Sequence, residues 1–282
     1  MRSMQLTSQN KSELEPFLKW AGGKRWLVKR GYQIAPPGYK RYIEPFLGGA
    51  AVFFSLPEVP YIISDLNPEL INCYNAIKAD FRKVERHLRL HQSKHCDDYY
   101  YQVRKAQPQE ECIKAARFLY LNRTCWNGLY RVNLQGKFNV PRGTKNKVIL
   151  DSDNFENVAK RLSKGEIFCQ DFEKTLSLSG EGDFVFIDPP YTDNHNLNGF
   201  LKYNERIFSW KDQERLKEAI TSAVGRGAMI TMTNANHDSI RKLYASMCEI
   251  EEIERNSVIA GRSSYRRVTT EILMRIGWNI VS

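Results

Sequence analysis

The chain has 282 residues, 42% of them hydrophobic, enough for one substantial core with a second small domain attached. Its 42 Lys plus Arg against 32 Asp plus Glu leave a formal charge of +10, which points to a polyanionic partner, nucleic acid first. Six cysteines without a C-x-x-C pair, and no secretory leader, exclude a disulfide scaffold and are expected to be reduced thiols of a cytoplasmic protein.

In chain order, residues 1–15 read as a loose polar arm. The run P-F-L-K-W-A-G-G-K at 16–24 precedes a helix expected over 24–33, which Pro36-Pro37-Gly38 ends. A strand over 41–46 runs into Leu47-Gly48-Gly49, a helix follows over 50–56, and a second strand over 61–64 closes at Asp65. Pro68 suits the first turn of the next helix. Strand, glycine turn, helix, strand and acidic residue open a nucleotide-binding α/β sheet. Residues 69–122 are mainly helical by periodicity. His91, His95 and Cys96 lie close together, but no second ligand pair completes a site, so no metal is expected.

Gln135-Gly136, between two short alternating runs, predicts a β-hairpin. Residues 112–147 carry Lys114, Arg117, Arg123, Arg131, Lys137, Arg142, Lys145 and Lys147 and no acidic residue, which calls for a solvated face or an anionic partner. Strands return over 165–169 and 183–187, the second leading into Asp188-Pro189-Pro190-Tyr191. Residues 192–209 read as a long mobile loop. A helix over 210–224, a strand over 227–233, a helix over 238–245 and strands over 250–259 and 269–276 complete the chain, with the arginine-rich linker 261–267 between the last two. No apolar stretch reaches membrane-spanning length, so no membrane partner is expected. The α/β unit is therefore expected to be discontinuous, 10–75 plus 150–282, with residues 76–149 inserted.

Three places carry chemistry. The Gly48-Gly49 turn lets a ligand approach the backbone, and Asp65 can accept from ribose hydroxyls; a tight turn with a capping aspartate is the plainer alternative. Lys24 can hold a ligand carboxylate and Trp20 can pack on a ring. Asp171 can accept from an adenine amino group while Phe172 stacks. The strongest element is Asp188-Pro189-Pro190-Tyr191. An adenine amino nitrogen is a poor nucleophile because its lone pair is delocalised into the ring. Asp188 and the Pro189 carbonyl can accept its protons and free that lone pair for attack on a sulfonium methyl, while Tyr191 offers a face to a flipped base. The stiff Pro-Pro turn keeps the reorganisation of those acceptors small.

The ordered motifs K-W-A-G-G-K at 19–24, E-P-F-L-G-G at 44–49, S-D-L-N at 64–67, N-G-L-Y-R to F-N-V-P at 127–141, D-F at 171–172 and D-P-P-Y at 188–191 make the chain similar to the Dam-like, D12-class adenine-N6 DNA methyltransferases. The resemblance runs from Pro16 to about Ile276. It implies a Rossmann-like α/β sheet dependent on S-adenosyl-L-methionine, with an inserted, mainly helical DNA-recognition domain that carries the hairpin. Lys24, Phe46, Gly48, Asp65, Asp171 and Phe172 would line the cofactor pocket, with Trp20 and Gly22 at its rim. Asp188, Pro189 and Tyr191 would hold the adenine, and Tyr203 would stand near it. Leu129, Arg131 and Pro141 would face bases of a G-A dinucleotide, with Asn127 and Lys137 on the DNA backbone. Arg131 suits the O6 and N7 of guanine. Lys145, Lys147, Arg262, Arg266 and Arg267 read as phosphate clamps.

The expected partner is double-stranded DNA at a short palindrome, most simply G-A-T-C. The expected enzyme is a monomer of a bacterial cell or phage-infected host, associated with the nucleoid, and a cognate restriction endonuclease would act separately. The alternatives are a cytosine-N4 or RNA amino methyltransferase, and a DNA-binding relative without catalysis.

Overall fold

A computed structural model describes residues 14–133, 135–191, 208–256 and 268–278. Among them, seven strands form one sheet: β1 (Arg41–Glu44), β2 (Tyr61–Asp65), β3 (Gly165–Cys169), β4 (Asp183–Ile187), β5 (Met229–Ala235), β6 (Ile250–Asn256) and β7 (Val268–Ile276). Their order is β3-β2-β1-β4-β5-β7-β6. The first five run parallel, and β7 enters antiparallel between β5 and β6. The helices are α1 (Arg25–Lys29), α2 (Ala51–Ser55), α3 (Pro68–Lys94), α4 (Asp97–Lys105), α5 (Glu111–Thr124), α6 (Phe155–Leu162), α7 (Phe172–Leu176), α8 (Trp210–Gly225) and α9 (Asp238–Tyr244). This is the expected α/β class.

The two-residue period of the strands divides the apolar side chains between two layers. Tyr42, Ile63, Phe184, Phe186 and Leu273 join the core beneath α2, α3, α5 and α6. Ile43, Ile62, Val185, Ile187, Ile272 and Met274 join the core beneath α7, α8 and α9. The central strand β4 is buried at every residue, which is why it reads as a continuous apolar run rather than an alternation. Each such Phe or Ile contributes roughly 1.5–3 kcal/mol through burial.

The first core extends without a break from the sheet through α3 to Tyr100, Leu119, Phe138 and Val140. Pro68 starts α3 as expected, and Asn67 caps it: its Oδ1 accepts from the amides of Glu69 and Leu70 at 3.0 and 3.1 Å. Asp80 leaves helical geometry (φ −153°, ψ 78°) and breaks α3 in two.

Several boundaries differ from the sequence expectation. The helix expected over 24–33 stops at Lys29, and Gly31 turns out of it with φ 74°. The strand expected over 41–46 stops at Glu44, so Pro45 and Phe46 lie on the edge loop. β5 begins two residues late because Gly227 takes φ 91° in the preceding turn. The expected hairpin around Gln135-Gly136 is present among the described residues as a short antiparallel pairing: Val132 bridges to Phe138, the Asn133 amide donates to the Lys137 carbonyl at 2.9 Å and the Asn139 amide to the Arg131 carbonyl at 3.2 Å. Asn133 closes it, its Oδ1 accepting from the amides of Gln135 and Lys137 at 3.0 and 2.9 Å. Helices α6 and α7 were not anticipated; α7 is only five residues long, too short for a periodic signal. The expectations for residues 1–13, 192–207 and 257–267 lie outside the described residues. Among the described residues, no helix is long and apolar enough to cross a membrane.

Candidate active site

Parallel strands bring their carboxyl ends to one edge of the sheet, and the strand order reverses between β1 and β4. Ligands of open α/β sheets bind in the crevice at that switch point. Register fixes what gathers there. Ile43 pairs with Val185, Glu44 with Ile63, and Ile187 with Met232. One or two residues further along, Phe46, Asp65, Asp188 and Thr233 come to the same edge.

Glu44 ends β1 with its carboxylate almost wholly buried, and its Oε2 accepts from the Tyr42 hydroxyl at 2.9 Å. Burial raises its pKa well above the usual carboxylate range; the Tyr42 hydroxyl opposes this, while Asp188 and Asp65 add to it. A buried acid with this setting at a ligand edge is suited to a ligand cation.

The glycine turn is built around a tryptophan. Gly48 has φ 47°, and a Cβ on it would lie 2.7 Å from Cδ1 of Trp20; one on Gly49 would lie 3.1 Å from the Trp20 Cβ. The close approach that the glycines allow is thus made on this side by the protein's own indole, which also stacks on Tyr130 (centroids 5.6 Å apart, planes at 23°). The amide of Gly48 donates to Asp65 Oδ2 and that of Asn67 to Asp65 Oδ1, both at 3.0 Å. Burial pushes the Asp65 pKa up, and the amides of Gly48, Asn67 and Leu66 pull it back. Leu66, next to it, is 65% exposed, an apolar surface at the edge that periodicity did not reveal.

Phe46 and Phe172 stack at 5.4 Å, and Phe208 packs on both. Asp171 caps α7, its Oδ1 accepting from the Glu173 amide at 2.9 Å. The same oxygen accepts from Arg215 at 3.1 Å, and the guanidinium lies over the Phe172 ring. Arg215 therefore already occupies part of the acceptor that the sequence left open for an adenine.

At the D-P-P-Y turn, Lys24, Asp188 and Tyr191 do come together. The Lys24 ammonium is 2.8 Å from Asp188 Oδ1 and 3.4 Å from Glu271 Oε2. It donates to the Gly22 carbonyl at 3.0 Å and to the Tyr191 hydroxyl at 2.8 Å. Tyr191 in turn donates to Glu271 Oε2 at 2.7 Å, and Thr233 donates to Asp188 Oδ1 at 2.8 Å. Lys24 thus sits on the D-P-P-Y aspartate, where the sequence reading had it on a ligand carboxylate. Burial raises the Asp188 pKa; Lys24 lowers it, Glu271 raises it further, and Thr233 helps the ionised form. Thr233 and Glu271 were missed because their strands read only as sheet, and their partners are 45 and 80 or more residues away.

The stretch after α5 presents Asn127, Leu129, Arg131, Lys137, Pro141, Lys145 and Lys147 to solvent. The Pro141 carbonyl accepts from the Trp126 amide at 2.9 Å and a bridge joins Cys125 to Arg142, so the two stretches lie side by side. Asn127 has φ 55°, and Trp126, 52% exposed, stands beside it; the sequence reading passed over that tryptophan. Arg131 donates to Asn139 Oδ1 at 2.9 Å, and Lys147 pairs with Asp151 at 2.5 Å. Lys145 lies against Lys19; burial and that second ammonium push the Lys19 pKa down to about 8. Among the described residues five cations of the acid-free stretch have carboxylate partners: Lys114 with Glu111 and Lys147 with Asp151 close by in the chain, and Arg117 with Glu69, Arg123 with Asp153 and Arg142 with Asp97 across the fold. Tyr203, Arg262, Arg266 and Arg267 lie outside the described residues.

The family described as D12 class N6 adenine-specific DNA methyltransferase matches residues 20–259. The chain is similar to the Type II methyltransferase M1.LlaDCHI of Lactococcus lactis subsp. cremoris, 35% identical over 280 residues, covering 96% of this chain and 98% of that one. It is 38% identical over 256 residues to the Type II methyltransferase M.MjaIII of Methanocaldococcus jannaschii, covering 82% and 88%. It is 29% identical over 271 residues to the DNA adenine methylase of Escherichia coli (strain K12), covering 94% and 96%.

Proposed function

From the premise that the chain belongs to the D12 class of N6 adenine-specific DNA methyltransferases and depends on S-adenosylmethionine, we propose how its residues divide the work. Asp188 and the Pro189 carbonyl accept the N6 protons of an adenine turned out of the duplex, with Tyr191 against the base. The target is a short palindrome containing G-A, most simply G-A-T-C.

One observation carries this reading. Lys24 and Thr233 both engage Oδ1 of Asp188, and among the described residues no donor engages Oδ2. The carboxylate is held from one side and keeps an oxygen for the amino group. Proton acceptance shifts the nitrogen toward tetrahedral geometry and localises its lone pair. That lone pair forms the new N–C bond as the carbon–sulfur bond breaks with its electrons on sulfur, and Asp188 takes the surplus proton.

S-adenosylmethionine supplies an electrophilic methyl on a sulfonium. The residues at the edge fit such a ligand: Glu44 is a buried counter-charge for its ammonium, Asp65 an acceptor for its ribose, and Phe46 and Leu66 apolar surfaces for its purine. Asp171 and Phe172, with Arg215, form the far wall, and Trp20 and Gly22 the rim.

Residues 76–149 form the DNA-facing unit against 10–75 plus 150–282. Arg131 reads guanine, Leu129 and Pro141 touch base edges, and Asn127 and Lys137 hold the backbone. Trp126 is a flat apolar wedge suited to stacking on a base. The crowded ammonium groups of Lys19 and Lys145 favour an electron-rich DNA group between them. Tyr203 near the base and Lys147, Arg262, Arg266 and Arg267 on phosphates complete the reading, for a cytoplasmic monomer beside a separate endonuclease.

The test is transfer of labelled methyl to unmethylated duplexes that differ only at the G-A-T-C positions, followed by digestion to nucleosides. N6-methyladenine confined to G-A-T-C, with Asp188→Ala inactive yet still binding DNA, is the expected result. N4-methylcytosine, or turnover by Asp188→Ala, would sink the assignment.

A further inference from the structure

We propose that Arg215, on α8, is a positioning residue of the cofactor site: it turns the Asp171 carboxylate so that Oδ2 is left to accept from the exocyclic amino group of the cofactor's adenine. This rests on the reading of Asp171 and Phe172 as a wall of that site.

All three nitrogens of the guanidinium are engaged, each by a different acid. Nε donates to Glu173 Oε1 at 2.9 Å, Nη1 to Asp212 Oδ1 at 2.7 Å and Nη2 to Asp171 Oδ1 at 3.1 Å. Asp171 immediately precedes α7, Glu173 stands in its first turn and Asp212 in the first turn of α8. Asp212 is itself anchored, its Oδ2 accepting from the Ser209 amide and hydroxyl at 2.8 and 2.7 Å. A planar fork held at every nitrogen has one orientation. Its carbon lies 4.9 Å from the centre of the Phe172 ring, and Phe172 stacks on Phe46. Stability alone does not account for this convergence. The four side chains are between 27% and 45% exposed, and ion pairs so exposed contribute little to folding.

What the convergence does achieve is to separate the two oxygens of Asp171. Oδ1 accepts from the Glu173 amide at 2.9 Å and from Arg215, while among the described residues no donor engages Oδ2. Two donors on one oxygen, one from the backbone and one from another helix, fix the torsions of a short side chain and leave the second oxygen to accept. The sheet brings that oxygen to the cofactor edge. Cys169, the last residue of β3, pairs with Asp65 of β2, and the chain reaches Asp171 just beyond it. The acceptor for the ribose and the acceptor for the base thus end neighbouring strands. An amino group at Asp171 Oδ2 donates to it; a carbonyl oxygen in the same place meets a carboxylate as a second acceptor. A wall built this way distinguishes adenine from a 6-oxopurine, and Arg215 holds the distinguishing atom in place.

The test is calorimetric binding of two ligands, S-adenosylmethionine and its inosine analogue, in which a carbonyl oxygen replaces the exocyclic amino group. The proteins compared are the wild type, Arg215→Met and Arg215→Lys, with thermal melting to confirm the fold. The wild type should prefer the adenosyl ligand by about tenfold or more. Arg215→Met keeps an apolar side chain against the Phe172 ring but releases Asp171 Oδ1. Its affinity for the adenosyl ligand should fall by about tenfold, and its preference over the analogue should shrink to about threefold or less. Arg215→Lys keeps the charge without the fork, so its preference should lie between the two. An undiminished preference in Arg215→Met overturns the proposal even where both affinities fall, because a merely structural role weakens the two ligands alike. If Arg215→Met does not hold its fold, Arg215→Lys is read in its place: a smaller preference than wild type supports the proposal and an equal one overturns it. Equal binding of the two ligands by the wild type defeats the reading of Asp171 itself. A strong preference in the wild type that survives in the variants defeats only the role of Arg215.

Discussion

Replacing Lys24 with Met tests the central cluster most severely. The side chain is 3% exposed, and its partners Asp188 and Glu271 are 18% and 4% exposed. Methionine fills the stem volume but takes the ammonium away from both Asp188 and Glu271. Breaking a buried pair by deleting one partner typically costs about 3–5 kcal/mol. The partial solvation of Asp188 argues for the lower end, about 3 kcal/mol at pH 8. For a chain of this size that corresponds to a melting temperature lower by about 6–12 °C.

The pH dependence has a definite sign. Burial already raises the Asp188 pKa above its unfolded value, and removing Lys24 takes away the influence that lowers it, so it rises further. The stability linked to such groups is fully present below the unfolded pKa and is lost as pH rises through the folded pKa. The gap between Lys24→Met and wild type is therefore widest at pH 8 and narrows toward pH 5, where Asp188 takes a proton. Thermal melts of both proteins at pH 8, 7, 6 and 5 measure it. A deficit below about 1 kcal/mol at pH 8, or a gap that stays constant with pH, would refute the picture of an ammonium compensating two buried charges.

Two other substitutions probe the scaffold. Arg123 is 1% exposed and donates to both oxygens of Asp153 at 2.6 Å, to the Val148 carbonyl at 2.7 Å and to the Phe17 carbonyl at 3.0 Å. Arg123→Met should lose about 3–5 kcal/mol by thermal or urea unfolding, and a near-wild-type melt would contradict its structural role. Gly48→Ala places a Cβ 2.7 Å from the Trp20 ring at φ 47°, so about 1–2 kcal/mol of backbone strain adds to a displaced indole. It should weaken S-adenosylmethionine binding by about tenfold in calorimetry and alter tryptophan fluorescence, and unchanged affinity would separate the turn from the cofactor site.

The parts of the site legible in the sequence were those with a local signature. A buried apolar strand followed by a stiff turn announces D-P-P-Y, and a glycine pair after a strand announces the first loop. What could not be read was which side chains meet. Lys24 stood in the sequence as a cation beyond a glycine loop, with a ligand carboxylate as its natural partner. The partner it has is Asp188, and nothing local to either residue encodes the meeting. Thr233 and Glu271 sit in β-branched and apolar runs whose pattern says only that they belong to strands. Their relevance follows from register, from Ile187 beside Met232 and Ala235 beside Glu271. Glu44 was legible as part of a motif but not as a buried acid. The acid-free stretch 112–147 misled in a different way. Its arginines were counted toward an anionic partner, while Arg117, Arg123 and Arg142 find carboxylates from α3, from the loop before α6 and from α4. Charge counted along a segment cannot separate cations that face solvent from cations that tie the segment to the rest of the chain.

That distinction explains the segment ahead of α1. Asn122, at the end of α5, accepts from the Lys19 amide at 2.9 Å and donates to the Lys19 carbonyl at 2.7 Å. Arg123, the next residue, holds the Phe17 carbonyl. Trp20 lies between the Gly48-Gly49 turn and the Tyr130 ring, and Lys24 ends on Asp188. Residues 17–24 are thus fastened to the end of α5 at one end, to the glycine turn in the middle and to the D-P-P-Y aspartate at the other. The segment bends at residues 17 and 18 and turns at 21 and 22, where the Gly23 amide donates to the Trp20 carbonyl at 3.2 Å and Gly22 takes φ 79°, so that Lys24 is brought back toward the sheet before α1 begins. The K-W-A-G-G-K motif is therefore best understood as a strap across the crevice. Its lysines and tryptophan each contact a different neighbour, so a change in any of them reaches Asp188, the Gly48-Gly49 turn or the end of α5 through direct packing.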